Sequence, residues 1–151
     1  MRHICIALTV ALAPLCACGA DPAVQFVGTW TGPESITLTT DAGQSLTVAV
    51  GTVTETLTED VRDGHVDFSE CGLTGTPEGS TLEVAAASAP CLANQPSSTA
   101  CGVTLAVASG TAVVRGNAMS IDLQGSASSF ACPSGSGFTA SFSLHADTTR
   151  T

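Results

Sequence analysis

Apolar and polar residues alternate with a period of two along most of the chain beyond residue 26. Ile36 and Leu38, for example, alternate with Thr37 and Thr39. The pattern occurs in seven stretches: 36–39, 46–50, 66–68, 82–84, 103–107, 119–123 and 138–144. This period is typical of strands with one buried face. Turn-forming residues separate the stretches, at 32–33, 41–43, 63–64, 77–79, 116–117 and 133–137.

About eight strands joined mostly by short turns predict an all-β fold. We expect an antiparallel up-and-down meander that forms a closed or nearly closed barrel, with a β-sandwich as the alternative. Closure removes the unpaired edges through which Thr- and Val-rich strands aggregate. Residues 85–100, which include Pro90 and Pro96, interrupt the pattern and are predicted to form a longer loop over one end.

The first twenty residues have the composition of an export signal. Arg2 and His3 precede an apolar run from Ile4 to Leu15, which is too short for a membrane-spanning helix. We therefore divide the chain into a signal peptide at 1–17, a lipidated cysteine with a short tether at 18–25, and one all-β domain at 26–151.

The segment Leu15-Cys16-Ala17-Cys18 resembles the lipobox of bacterial lipoproteins. The resemblance implies that Cys18 carries lipid and holds the protein on a membrane. Because Gly19 and not Asp follows that cysteine, it also favours the outer membrane over the inner membrane. The alternative is ordinary cleavage after Gly19 or Ala20, which would release the chain.

Charge argues against several classes of partner. The chain has no Lys and no Tyr, its basic residues beyond the signal are Arg62, Arg115 and Arg150, and its formal net charge is −9. Nucleic acids and anionic lipid headgroups are bound by clustered Lys and Arg. We therefore expect no nucleic-acid partner and no electrostatic attraction to the membrane surface.

Four cysteines remain beyond the signal region: Cys71, Cys91, Cys101 and Cys132. In an exported chain this even number predicts two disulfides, and the absence of Cys-x-x-Cys spacing argues against zinc. A hairpin turning at 115–117 pairs residues whose numbers sum to about 232, which brings Cys101 beside Cys132 and leaves Cys71 for Cys91. The alternatives are Cys71–Cys132 with Cys91–Cys101, and Cys71–Cys101 with Cys91–Cys132.

The segment Gly28-Thr29-Trp30 resembles the Gly-x-Trp motif on the first strand of lipocalins and related small barrels. The resemblance implies that Trp30 plugs one end of the barrel and that an arginine from the last strand packs over its ring. Arg150 is placed to be that arginine. The other interpretation is that Trp30 is the largest core residue of an unrelated barrel.

The remaining candidates for chemistry are weak. The acidic run from Glu55 to Glu70 partly follows the spacing of a calcium loop, but Val61 occupies a ligand position, so we expect a solvated hairpin. His65 and His145 lie in no recognisable motif. No nucleophile elbow, phosphate loop or dinucleotide fingerprint occurs. We therefore predict neither enzymatic activity nor a cofactor.

Two functions are compatible with this sequence. The first, which we favour, is a non-enzymatic interaction or structural module of the cell envelope with an unknown protein partner. The second is binding of a small apolar ligand inside the barrel, where small residues such as Ala106, Ala112 and Ala140 would leave a cavity.

Overall fold

The computed structural model describes residues 21–60, 63–94, 100–133, 135 and 137–151. The predicted signal peptide and Cys18 lie outside these residues. The described chain contains nine strands: β1 Gly28–Thr39, β2 Ser45–Asp60, β3 His65–Phe68, β4 Thr74–Glu78, β5 Thr81–Val84, β6 Cys91–Asn94, β7 Gly102–Arg115, β8 Ala118–Phe130 and β9 Thr139–Arg150.

All of these strands belong to one antiparallel sheet. Its order is β5-β4-β3-β2-β1-β9-β8-β7-β6, and a further pairing of β5 with β7 closes a ring of eight strands. The predicted all-β, up-and-down architecture is thus confirmed, in the form of a nearly closed barrel. The sandwich alternative does not apply, because a single sheet curves around the core.

Alternation decides which face of each strand is buried. In β8, Met119, Ile121 and Leu123 are buried, while Asp122 between them and Gln124 after them are exposed. In β7 the register shifts between Val107 and Ser109. This bulge exchanges the two faces, so that Leu105 and Val107 before it and Ala112 and Val114 after it are all buried.

The core is densest at one end of the barrel, which we call the plugged end. The largest fully buried side chains include Trp30, Phe26, Leu57, Leu82, Met119 and Val66. The first and last strands also approach very closely here. A Cβ atom on Gly32 would lie 2.0 Å from the carbonyl oxygen of Asp147, so only glycine fits at this crossing.

The predicted loop at 85–100 is in part a strand. Cys91 pairs with Leu105 and Leu92 with Thr104, so that β6 extends the barrel wall beyond the end of β5. Before it, the Ala87 N–H donates to the carbonyl oxygen of Val107. The strand β7 is longer than β5, which pairs with it only from Gly110 to Val113. The edge of β7 from Val103 to Leu105 is therefore available to β6.

The chain joins the barrel earlier than predicted. Residues 22–25, which we assigned to a tether, form a 3-10 helix whose N-terminal Asp21 side chain accepts a hydrogen bond from the Ala23 N–H. Ala23 is fully buried. The Gln25 side chain donates to the carbonyl oxygen of Gly79. The polypeptide is therefore fixed to the plugged end from Asp21 onward.

Candidate interaction surface

The structure brings Trp30 and Arg150 together at the plugged end. The Trp30 indole N–H donates to the carbonyl oxygen of Phe26 at 2.7 Å, which satisfies its one polar atom. The Arg150 guanidinium carbon lies 4.6 Å from the centroid of the indole ring, and the same side chain donates to the carbonyl oxygen of Gln25. This pair covers the plugged end of the barrel, where the Trp30 side chain is fully buried.

The two disulfides lie towards the other end, which we call the open end. Cys101 bonds Cys132 just beyond the paired Gly102 and Phe130, and so joins the ends of β7 and β8. Cys71, in the turn after β3, bonds Cys91 of β6. These are the pairs favoured by the hairpin register. The turn is one residue tighter than assumed, but the bulge in β7 restores the offset.

The first half of β2 has an unpaired edge, which we call the open edge and define as residues 45–49. On one side these residues pair with β1, from Ser35↔Ala49 to Thr39↔Ser45. On the other side β2 pairs with β3 only from Leu57 to Asp60. Among the described residues, no strand pairs with the open edge.

Backbone groups of the open edge point in a defined direction. Thr56 exchanges hydrogen bonds with Ser69 on the β3 side, and its β1 partner Thr29 accepts one from Thr151 on the far side. Every second residue of β1 after Thr29 likewise directs its backbone groups away from β2, and this set includes Ser35, Thr37 and Thr39. Their partners on β2, which are Ala49, Thr47 and Ser45, therefore direct their N–H and C=O groups away from β1. A second strand would find these groups ready to pair.

The open edge is apolar on one face. The side chains of Leu46 and Val48 are 62% and 44% exposed, although they lie opposite Leu38 and Ile36, which pack against the core. On the other face Thr47 hydrogen-bonds Thr37 at 2.7 Å. The ten residues from Ser45 to Thr54 carry no charge. Exposed apolar side chains on an unpaired, uncharged edge are typical of surfaces that associate.

Two half-buried glutamates lie between the open edge and the plugged end. The Glu55 carboxylate accepts hydrogen bonds from the Ser69 hydroxyl at 2.8 Å and the Glu70 N–H at 3.1 Å. Burial raises the pKa of Glu55 against the lowering effect of these bonds. Burial also raises the pKa of Glu34, with a further contribution from the charges of Glu70 and Glu55. The site therefore disfavours the charged form of Glu34 relative to a fully solvated glutamate.

The two histidines occupy separate polar contacts. His145 points outward from β9 and lies between Asp122, at 2.7 Å, and Asp147, at 3.3 Å. The hydrogen bond to Asp122 is the main reason why the pKa of His145 is raised. His65 contacts the Thr76 hydroxyl at 3.1 Å. The part of the chain that the structure describes contains no group of three or more His, Cys, Asp or Glu arranged to hold a metal ion.

The outer face of β7, β8 and β9 carries three shallow grooves between the rows of side chains. Their volumes are about 330, 650 and 550 Å³, and polar residues such as Asp122 line them together with apolar residues that include Leu123, Phe142 and Met119. Ala106, which we expected to face the interior, lines the second groove. Of the other two small residues named for a cavity, Ala112 and Ala140 are buried as expected.

Sequence reasoning did not find the open edge, because alternation alone does not show whether a strand has a partner on both sides. The run from Ser45 to Thr54 is uncharged, but so are the longer runs 84–114 and 123–144, so charge did not distinguish this edge either. Within the described residues, no helix has the length and apolar character needed to cross a membrane. Comparison of the chain with protein-family models, curated proteins and solved structures finds no match.

Proposed function

We propose that this protein is an exported, lipid-anchored interaction module of the cell envelope that carries out no catalysis. Cys18 holds it on the membrane, with the outer membrane favoured, and the open edge is its contact surface. The exposed apolar residues Leu46 and Val48, on a strand edge without a partner among the described residues, carry this proposal.

The attachment point supports the orientation that this function requires. Only two residues separate Cys18 from Asp21, so the anchor lies within about 10 Å of the plugged end. Because β1 runs from Gly28 at that end to Thr39 beside the open edge, the contact surface lies roughly 30 Å or more further from the lipid. A partner in the aqueous compartment therefore has access to it.

Binding of a small apolar ligand in the barrel is the less well supported alternative. The interior at the plugged end is occupied by side chains, with Trp30, Phe26 and Leu57 all fully buried. At the open end, the two disulfides join the turn after β3 to β6 and the end of β8 to the start of β7. A rigid scaffold that presents an exposed strand edge fits an interaction module better than a ligand-binding barrel.

Mass spectrometry of the mature N-terminus from membranes tests the anchor. We expect an acylated peptide that begins at Cys18, and an unmodified terminus at Ala20 or Asp21 would contradict lipidation. Photo-crosslinking in cells tests the surface. A crosslinker at Val48 is expected to give a discrete product, whereas one at Leu92, similarly exposed on β6, serves as the control.

Absence of a product from Val48 would overturn the interaction function. Native mass spectrometry of the same purified protein tests the alternative, because a retained apolar small molecule would favour ligand binding.

A further inference from the structure

We propose that the open edge pairs with the open edge of a second copy of this chain, forming an antiparallel β2–β2 contact with twofold symmetry. The proposal deepens the interaction function above by naming its partner. It depends on the direction of the backbone groups, on the pattern of side chains and on the distribution of charge.

The backbone groups of the open edge are self-complementary. Ser45, Thr47 and Ala49 direct their peptide groups outward at every second residue, as the alternation along β1 requires. If Thr47 lies on the twofold axis opposite Thr47 of the second copy, Ser45 of each copy faces Ala49 of the other. Each of these three opposed pairs exchanges two bonds, which gives about six backbone hydrogen bonds.

The same register matches the side chains. It places Leu46 opposite Val48 of the second copy, so two such apolar pairs form on one face. A shift by one residue would set outward-directed peptide groups against inward-directed ones. A shift by two residues would lose part of the hydrogen bonding, because the register of β2 changes at the bulge near Val50 and Gly51.

Charge does not single out this strand, since residues 84–114 and 123–144 are also uncharged, but it permits the contact. Two copies with a formal net charge of −9 each repel one another over most of their surfaces. The run from Ser45 to Thr54 carries no charge, and the facing stretch of β1 from Ser35 to Thr39 is also uncharged. Two copies therefore meet at the open edge without direct opposition of carboxylates.

The contact is small, and this determines how it behaves. Five paired residues on each copy bury less surface than the 1,200–2,000 Å² or so of a stable interface, so the dimer is weak in dilute solution. Dimerisation is therefore expected to depend strongly on concentration. The antiparallel pairing directs the two plugged ends away from each other, so the copies meet through their open ends.

The test measures mass and backbone protection in the oxidised mature protein over a wide concentration range. Light scattering coupled to chromatography, corrected for any bound detergent, is expected to show the mass rising from one chain towards two. Hydrogen exchange at the Thr47 and Ala49 amides is expected to slow as concentration rises, while exchange in β6 stays constant.

Two pairs of variants identify the surface. Thr47→Pro removes the central N–H and the side-chain hydrogen bond to Thr37 but leaves the backbone hydrogen bonds to β1 in place, and it is expected to abolish the dimer. Thr52→Pro, an exposed position on the same strand beyond the bulge, is the matched control and should retain it. Val48→Lys is likewise expected to abolish dimerisation, and Leu92→Lys should not. Circular dichroism establishes that each variant is folded.

A single-chain mass at every concentration, or a dimer unaffected by both Thr47→Pro and Val48→Lys, would overturn the proposal. The crosslinking experiment separates this failure from failure of the proposed function. A crosslinked product from Val48 that contains a different protein would contradict self-pairing but would still support the interaction function. A product with an apolar small molecule, or no product, would contradict both self-pairing and the interaction function.

Discussion

Arg150 lies over the indole ring of Trp30, with its guanidinium carbon 4.6 Å from the ring centroid, and thereby joins the last strand to the first. The two residues are also opposite one another in the pairing of β1 with β9. Because the Trp30 ring is fully buried beneath it, the guanidinium covers the plugged end and also binds the carbonyl oxygen of Gln25.

Replacing Arg150 with Gln is expected to lower the free energy of unfolding by about 1–2 kcal/mol, because the cation–π contact and a charged hydrogen bond are lost. Arg115→Gln, at an exposed position, should change stability by no more than about 0.5 kcal/mol. Denaturant titration followed by the fluorescence of Trp30, the only tryptophan, measures both. Equal losses in the two variants would contradict this role for Arg150.

Glu34→Gln is expected to stabilise the protein at neutral pH. Burial raises the pKa of Glu34 in the folded state above its ordinary value of 4.5, so its favourable contribution is complete below that value. The contribution is lost as pH rises through the folded pKa. The gain should be at most about 1 kcal/mol, since the side chain is only half buried.

Chemical denaturation at several pH values checks this prediction. The difference between Glu34→Gln and the unsubstituted protein should vanish below pH 4.5, where both side chains are neutral. Glu83→Gln, on the exposed face of β5, is the control and should show little change. Destabilisation by Glu34→Gln at neutral pH would show that the carboxylate has a favourable partner.

His145 should stabilise the folded protein in its charged form, whereas Glu34 does so in its neutral form. Both contributions decrease as pH rises, because both pKa values are raised. Its pKa is raised above 6.5, first by the hydrogen bond to Asp122, so its contribution is complete below 6.5 and falls as pH rises through the folded pKa. Replacement by Gln should cost no more than about 1 kcal/mol at pH 6, because all three side chains are largely exposed. A cost that does not shrink at alkaline pH would argue against the ion pairs.

Removal of either disulfide should cost about 3 kcal/mol by restoring entropy to the unfolded chain, given sequence separations of 20 and 31 residues. The two pairs of substitutions should loosen different parts of the barrel. Cys71→Ala with Cys91→Ala releases β6 and should speed hydrogen exchange there, whereas Cys101→Ala with Cys132→Ala should loosen the ends of β7 and β8. Identical exchange patterns in the two variants would contradict this assignment.

Much of the fold was predictable because it depends on local rules. Period-two alternation located the strands, and glycine-rich turns set the short connections that make a meander. The offset of one hairpin was enough to favour Cys101–Cys132, and the structure contains that bond. The strand β6 was not predicted, since its pairing depends on the length of β7 and on no pattern of its own.

The sequence by itself determined that the chain is all-β, acidic and stapled by two disulfides, because alternation, charge and cysteine number are local properties. Tertiary structure decided that the first half of β2 lacks a second neighbour among the described strands. The strands β3, β4 and β5 are shorter than β2, so the wall ends before it reaches Ser45. That difference in strand length between distant segments is visible only after the sheet has closed, and it leaves Leu46 and Val48 uncovered.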